Sequence, residues 1–452
     1  LKLRIEKAIY GGASLARMPQ ENPEGQAAAG KTVFVPYSLP GELVEAHLIG
    51  DRGGFSLAAV DTIVEPSPLR VRPGCEYFPA CGGCQYQHAE AGLQLQMKLD
   101  VLADTLRRAH VEPPSGGPIG CLSGPPWGYR NRIRLQVLAR SGGRGPQAEG
   151  ISLCYQERGT HRSVAIAHCP IAAPLIERAL AAVLHMGRES GIARLGDEIE
   201  FFCDGDECEL LVSLWSANPG RSGARFAAER DRVLDRFAET LKAQIPELAG
   251  VGVFSAHGRS PELAATWGRR SLSYSVGMRR YEVGIGSFFQ VNRFLLPELQ
   301  ELVTGGRTGR LAWDLYAGAG LFTLGLAFDR VIAVEAAPSS AADLTRNLAG
   351  TGHHAVRSDA ADFLRAQSAK AKQQAPELIV IDPPRAGLGQ AVCAHLIEFA
   401  VPEIVYVSCD PATMARDLQA LLQSRYRLQS LHMVDLFPQT FHLETVAVLT
   451  RK

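Results

Sequence analysis

No surplus of charge marks this sequence. Its 47 Lys and Arg residues are matched by 47 Asp and Glu, for a formal net charge of zero. Overall electrostatics therefore give no pull towards nucleic acid, and any such surface has to be local. No apolar run reaches the roughly 18 residues of a membrane-spanning helix, so no membrane role is expected. The opening LKLRIEKAIYGGA lacks the apolar core of a signal peptide, and a cytoplasmic protein is the expectation. No internal repeat is visible, which excludes a solenoid or a propeller. With 46% hydrophobic and 21% charged residues the chain is too apolar to be disordered. At 452 residues it is also too long for one ordinary core, so two or three domains of roughly 150 residues are expected.

Three regions differ in pattern. The first 66 residues alternate apolar and polar side chains around Gly and Pro, as in LRIEKAIYGGASLARM, GKTVFVPYSLPGELVEAHLIG and FSLAAVDTIVE, with a loop at Pro19–Gly30. Short strands joined by tight turns predict a small β-barrel. A cysteine-rich segment at 75–84 precedes a helix expected over Ala89–His110. The stretch 125–285 mixes strands with one or two helices around a polar connector, Ser216–Gly223. Within it Arg130, Arg132 and Arg134 alternate, which on a strand puts all three on one face, either a local phosphate-binding surface or a solvated one. From about 310 onwards LAWDLY, RVIAVE, HAVRSD, ELIVID and EIVYVS alternate with helix-like segments, the pattern of a parallel sheet covered by helices. Ligands of such sheets bind at the carboxyl ends of the strands.

Those strand ends carry the chemistry. Asp314-Leu-Tyr-Ala-Gly-Ala-Gly320 follows the first strand and is expected to lead into a helix, LFTLGLAF. Its glycines let the backbone turn tightly beside a ligand. Glu335 ends the next strand, where a carboxylate can take both hydroxyls of a ribose, and the lack of a third glycine at dinucleotide spacing favours S-adenosylmethionine over a nicotinamide cofactor. Asp382-Pro383-Pro384-Arg385 forms a stiff loop that can present Asp382 to a planar ring. Cys393, in a helical segment, reads as a small buried apolar residue, whereas Cys409 in Ser-Cys-Asp-Pro stands at the ligand rim. Glu444 opens the last strand.

A thiol, a carboxylate and a methyl donor together define a reaction. Carbon 5 of uracil is too weak a nucleophile to take a methyl group unaided, and thiolate addition at carbon 6 makes it an enolate carbon. The proton on carbon 5 must then leave to a base. Cys409 is the expected nucleophile and Glu444 the expected base.

Cys75, Cys81 and Cys84 supply three thiolates from one loop, with Gly82 and Gly83 allowing a tight path. With a fourth thiolate the spacing suits tetrahedral zinc as well as an iron–sulfur cluster. Taken in order, GGASLAR, FVPYSLPGELVEA, CEYFPACGGCQYQH, YRNRIRLQV, SFFQVN, DLYAGAGLFTL, DPPRAGL, VSCDPATMARD and FHLETVAVL resemble the motifs of the RNA 5-methyluridine methyltransferases, closest to the bacterial members that act on 23S ribosomal RNA. The resemblance implies an N-terminal RNA-binding TRAM barrel at 1–66, a central α+β domain at 67–89 and 125–285, and a Rossmann-like class I methyltransferase domain at 90–124 and 286–452. It makes Cys409 nucleophile and Glu444 base, and sets Gln290, Tyr316, Glu335, Asp359 and Asp382 around S-adenosylmethionine. Leu321 departs from the family, whose members often carry Asn there. The resemblance also implies Cys169 as fourth ligand of a [4Fe–4S] cluster held with Cys75, Cys81 and Cys84. The implied partner is RNA, with a uridine from a single-stranded loop extruded into the pocket and no obligate protein partner. Two other readings stand beside this one. An amino-group methyltransferase would use the DPPR loop but leave Cys409 idle, and a non-catalytic RNA-binding factor would keep only the fold.

Overall fold

A computed structural model describes residues 1–18, 30–114, 116–140, 150–216, 224–257, 260–368 and 375–452. The loop expected at Pro19–Gly30 and the connector at Ser216–Gly223 lie, apart from Gly30 and Ser216, outside the described residues.

Strands β1 (Lys2–Ile9), β2 (Ala13–Arg17), β3 (Thr32–Pro36), β4 (Leu43–Asp51) and β5 (Phe55–Glu65) close a barrel in the order β1-β2-β3-β5-β4. The period-2 pattern builds it, since Leu3 and Ile5 of β1 point inwards while Lys2, Arg4 and Glu6 face out. Gly11 and Gly12 turn β1 into β2 at φ +99° and +78°, backbone that other residues rarely adopt.

Helix α1 (Ala91–Arg108) and strand β6 (Gly120–Leu122) come next. The central region then contains β7 (Arg132–Arg140), β8 (Gly150–Gln156), β9 (Ser163–Ile166), α2 (Pro174–Met186), α3 (Ile192–Leu195), β10 (Glu198–Cys203), β11 (Leu210–Ser216), α4 (Ala224–Gln244), β12 (Leu248–His257) and β13 (Ser260–Gly268). Its seven strands form one sheet, β13-β12-β11-β10-β7-β8-β9, against which α2 and α4 bury Leu175, Ile176, Leu180, Phe237 and Leu241. Three helices occur here rather than one or two, because the short α3 follows a left-handed Gly191 too closely for its own periodicity to show in the sequence. A separate hairpin, β14 (Ser271–Val276) and β15 (Arg279–Gly284), packs Leu272, Tyr274, Tyr281 and Val283 into the core shared with the last region.

Of the alternating arginines only Arg134 is exposed, and both Arg132 and Arg134 are held over aromatic rings. Arg132 lies over the Phe202 ring at 3.9 Å and pairs with Glu200 at 3.2 Å. Arg134 lies over Trp215 at 4.2 Å and pairs with Glu198. Aromatic rings of β10 and β11 cover these guanidinium planes, a contact that alternation in β7 alone cannot reveal.

The last region comprises α5 (Leu296–Thr304), β16 (Thr308–Leu315), β17 (Ala327–Glu335), α6 (Pro338–Asn347), β18 (His354–Arg357), α7 (Ala360–Ser368), β19 (Leu378–Ile381), α8 (Gly389–Phe399), β20 (Glu403–Ser408), α9 (Pro411–Leu422), β21 (Tyr426–Val434) and β22 (Glu444–Arg451). They build an eight-stranded sheet, β18-β17-β16-β19-β20-β22-β21-β6. The first five strands are parallel, and β22 runs antiparallel between β20 and β21. Consequently β22 starts where its neighbour β20 ends, with Ser408 opposite Thr445.

The helix expected from LFTLGLAF is only a 3₁₀ turn at Thr323–Gly325. The Leu321 carbonyl, which an α-helix would have needed, is taken by the Tyr281 hydroxyl at 3.1 Å and Gln300 Nε2 at 2.5 Å. Gly325 also packs so closely on Thr304 that an added Cβ would lie 2.7 Å from its Oγ1.

Early residues complete this late sheet. β6 pairs in parallel with β21, and α1 buries Met97, Val101, Leu102 and Leu106 in the core that holds Trp313 and Leu418. Lys98, fully buried, places its Nζ 2.6 Å from Asp435 Oδ1 and 3.0 Å from the Phe437 carbonyl. Such a pair adds little net stability over apolar packing, but either partner alone would be stranded without water. Among the described residues no helix is long and apolar enough to cross a membrane.

Candidate active site

The chain leaves β16 through Tyr316, held at φ +63°, then Gly318 and Gly320 at +55° and +93°. A tyrosine in this left-handed region persists only where its surroundings hold it. Here the Ala317 amide donates to the Val334 carbonyl at 3.0 Å, and the Gly318 amide to Glu335 Oε2 at 2.9 Å. Glu335 Oε1 accepts from the Ala337 amide at 2.6 Å. Each carboxylate oxygen has a further lone pair, so Glu335 can hold the loop and still accept from two ribose hydroxyls.

Two carboxyls sit behind this loop. Asp314 is buried, with Oδ2 accepting from Thr323 Oγ1 at 2.5 Å and Oδ1 left without a partner. Burial pushes it up to about 7. Asp382 is pushed to about 7 by desolvation and then by Asp314, while a 3.4 Å hydrogen bond from Gln290 Nε2 opposes the shift. A cationic ligand arriving beside them would favour their ionised forms. The Asp359 carboxylate caps the Ala361 amide at 2.8 Å and reaches the Tyr316 hydroxyl electrostatically. The structure therefore groups Gln290, Tyr316, Glu335, Asp359 and Asp382 around one rim, and adds Asp314, which had stood only as the opening residue of the glycine-rich run. Leu321 turns its side chain into the core, so no polar side chain stands there.

Cys409 occupies the bend between β20 and α9. Asp410 fixes that bend as the α9 N-cap, accepting from the Ala412 and Thr413 amides at 3.0 and 2.9 Å. Glu444 is 3% exposed at the start of β22. Burial, then Asp382, holds its carboxyl well above the usual range. The Cys409 thiol is pushed up to about 11 by burial first and then by Glu444 and Asp382, with Arg385 pulling the other way. Cys409 thus rests as a thiol, and its reactivity should track thiolate content. With the ligand-free protein, iodoacetamide alkylation of Cys409, read by peptide mass spectrometry, is expected to rise about tenfold per pH unit from 7 to 10 without levelling off. A plateau below pH 9 would contradict this assignment, and Arg385→Ala should move the profile to still higher pH.

One rim residue has no local sequence signal. Tyr10, at the end of barrel strand β1, donates from its hydroxyl to the Cys409 carbonyl at 3.3 Å and sets its ring edge-on against Phe441, centroids 5.4 Å apart. It stands 399 residues from Cys409 in the chain.

A family profile described as tRNA (Uracil-5-)-methyltransferase matches residues 278–452. Over 99% of this chain and 89% of its own length, the 23S rRNA (uracil(1939)-C(5))-methyltransferase RlmD of Chromohalobacter salexigens is 31% identical. The protein of the same name from Klebsiella pneumoniae is 32% identical over 95% and 94%. The chain belongs to the RNA uracil-C5 methyltransferase family, which uses S-adenosylmethionine. Its fold matches that of the Pyrococcus abyssi tRNA (uracil-54, C5)-methyltransferase, solved in complex with S-adenosyl-L-homocysteine, at a TM-score of 0.70 and 20% identity, covering 100% of both chains.

In this methyltransferase the cysteine-rich loop has its own cavity, apart from the rim. Cys75, Cys81, Cys84 and Cys169 all line a space of about 30 Å³, closed by Arg130 and Tyr155. The Tyr155 hydroxyl lies 4.0 Å from Cys169 Sγ, and the Gly83 amide approaches Cys81 Sγ at 3.5 Å. Arg130 Nε is buried here without a partner, so the first of the three alternating arginines faces thiols rather than solvent. Among the described residues no group of three or more His, Cys, Asp or Glu side chains is drawn in tightly enough to hold a metal ion. Cys121 and Cys208 are exposed, Cys154, Cys203 and Cys393 are buried, and none of the five lines this cavity.

Proposed function

We propose that this methyltransferase methylates carbon 5 of a uridine in 23S ribosomal RNA through a covalent adduct on Cys409, with Glu444 taking the carbon-5 proton. The observation that carries the reading is the pairing of β20 with β22, which sets Cys409 and Glu444 at adjoining strand ends beside Asp382. S-adenosylmethionine would supply the electrophilic methyl group. Glu335 has lone pairs free for the ribose, and the open Oδ1 of Asp314 suits the amino group of the methionine moiety. Gln290, Tyr316, Asp359 and Asp382 would complete its walls.

The chain's own residues then divide the work. Cys409 releases its proton to solvent, and its sulfur bonds carbon 6 of the uracil, moving the double-bond electrons towards carbon 5 and the carbonyl at carbon 4. Carbon 5 takes the methyl group, Glu444 removes the remaining proton from carbon 5, and the electrons left behind expel the Cys409 sulfur. Arg385 offsets the anionic surroundings of the thiolate. The relatives named for 23S rRNA are 31% and 32% identical, against 20% for the tRNA enzyme of matching fold, which favours ribosomal RNA over transfer RNA as substrate. A cytoplasmic setting goes with such a substrate.

The architecture supports a division into a barrel at 1–66 acting as an RNA-binding TRAM domain, a central domain at 67–89 and 125–285, and a catalytic domain at 90–124 and 286–452. Four thiols facing one cavity fit a [4Fe–4S] cluster held by Cys75, Cys81, Cys84 and Cys169. Methyl transfer moves no net electron, so the cluster's part would be to hold the loop. Protein purified without air is expected to carry about four iron and four sulfide per chain, and stoichiometric zinc in their place would overturn the cluster.

The substrate test mixes the protein, S-adenosylmethionine and 5-fluorouridine-substituted RNA, either 23S fragments or transfer RNA. Fluorine cannot leave as a proton does, so a denaturation-resistant protein–RNA adduct is expected with the 23S fragment. An adduct with transfer RNA alone would reassign the substrate. Methyl transfer without any adduct would move the chemistry to an amino group.

A further inference from the structure

The three arginines that alternate before and along β7 are engaged with thiols, aromatic rings and carboxylates. One other place concentrates positive charge. Between the β14–β15 hairpin and the C-terminal end of α6 lies an open cleft of about 590 Å³ whose lining carries four arginines, Arg269, Arg270, Arg280 and Arg346, against a single carboxylate, Glu282. This excess of three positive charges belongs to a chain whose formal net charge is zero.

Local pairing cancels part of it and leaves two guanidinium groups unpaired among the described residues. Arg269 pairs with Glu209 at 2.5 Å, and Arg346 with Glu282 at 3.3 Å and with Asp343. Arg270 and Arg280 are exposed and make no ion pair or side-chain hydrogen bond among the described residues. Ser271 and Asn347 give the cleft polar walls, and their polar groups are held by Glu282. At the hairpin tip, after Gly277 at φ +57°, Met278 is fully exposed. An unpaired guanidinium fork matches phosphate oxygens, and a bare thioether at the tip offers an apolar surface to an unstacked base. The cleft wall is tied to the glycine-rich turn, because Asn347 Nδ2 donates to the Ala319 carbonyl at 2.9 Å. Glu282 stands eight residues before Gln290 in the chain, hence no more than about 29 Å away.

We propose that this cleft is a docking site for backbone phosphates of the RNA substrate flanking the target uridine, with Arg270 and Arg280 as the two phosphate-binding groups. The proposal rests on RNA being the substrate and not on the covalent step, so it is tested by binding without S-adenosylmethionine. The probes are a fluorescein-labelled oligouridylate of about 20 nucleotides and the same 23S fragment, titrated between 50 and 200 mM salt. For the Arg270→Glu/Arg280→Glu protein, Kd is expected to weaken at least about tenfold at the low-salt end. The slope of log K against log salt should flatten by about 1.4, which is two phosphates at roughly 0.7 each for single strands.

The Arg270→Lys/Arg280→Lys protein is expected to keep most of the slope, and an unchanged melting temperature in both shows that folding is intact. Methyl transfer at saturating RNA should stay at the parent rate, which separates docking from the chemistry at Cys409. Affinity and slope unchanged in the charge-reversed protein would overturn the proposal. So would displacement of the oligomer by inorganic phosphate or uridine monophosphate at equal phosphate concentration, which would make the cleft a small-anion pocket.

Discussion

Glu444→Gln is expected to stop the reaction with the RNA still attached to the protein. The amide keeps the shape of the buried side chain at the start of β22 but cannot take a proton from carbon 5. Addition of Cys409 and methyl transfer are untouched by that change, whereas elimination of the sulfur requires the proton to leave first. Turnover should therefore fall by roughly 10²–10⁴-fold. A methylated adduct that survives denaturing electrophoresis should build up on ordinary, unfluorinated RNA, approaching one RNA per protein. Free methylated RNA without adduct at the parent rate would assign the proton to another group, of which Asp382 is the nearest candidate.

Cys409→Ala removes the step on which everything later depends. Without sulfur at carbon 6, carbon 5 has no enolate character, and methyl transfer should drop by about 10⁴-fold or more. The side chain is only partly buried in a bend whose geometry Asp410 fixes through the Ala412 and Thr413 amides, so the bend should survive. RNA affinity should therefore stay within about twofold, because phosphate and base contacts do not depend on the thiol. Loss of binding together with activity would mean that the substitution has collapsed the rim. Retained activity would end the nucleophile assignment.

Much of this rim was legible because each strand end carried its own local signature. Turn glycines, a stiff Pro-Pro loop, a Ser-Cys-Asp-Pro bend and acids at strand termini all follow from rules that act over a few residues. The errors came where distant groups decide the outcome. LFTLGLAF has a helix's composition, yet Tyr281 and Gln300 take the carbonyl it would have used. The alternation of Arg130, Arg132 and Arg134 says that they share a side of a strand, not that Phe202 and Trp215 lie under that side. Tyr10 meets the Cys409 carbonyl across most of the chain, and no window of sequence spans that separation. The arginine cleft escaped for the same reason, since its four cations come from the β13–β14 connection, strand β15 and helix α6.

The insertion of α1 and β6 into the last sheet has a consequence for how the protein is made. Lys98 leaves the ribosome 337 residues before Asp435, the carboxylate that receives it. At about 5–20 residues per second, that interval lasts roughly 17–67 s. The barrel can close as soon as it emerges and meets α1 through β1, but the core in which α1 buries Met97, Val101 and Leu102 is incomplete until α9 exists. For that time the nascent chain presents an apolar helix face and an unsatisfied lysine to solvent, and this helix is where a holding chaperone should be found during synthesis.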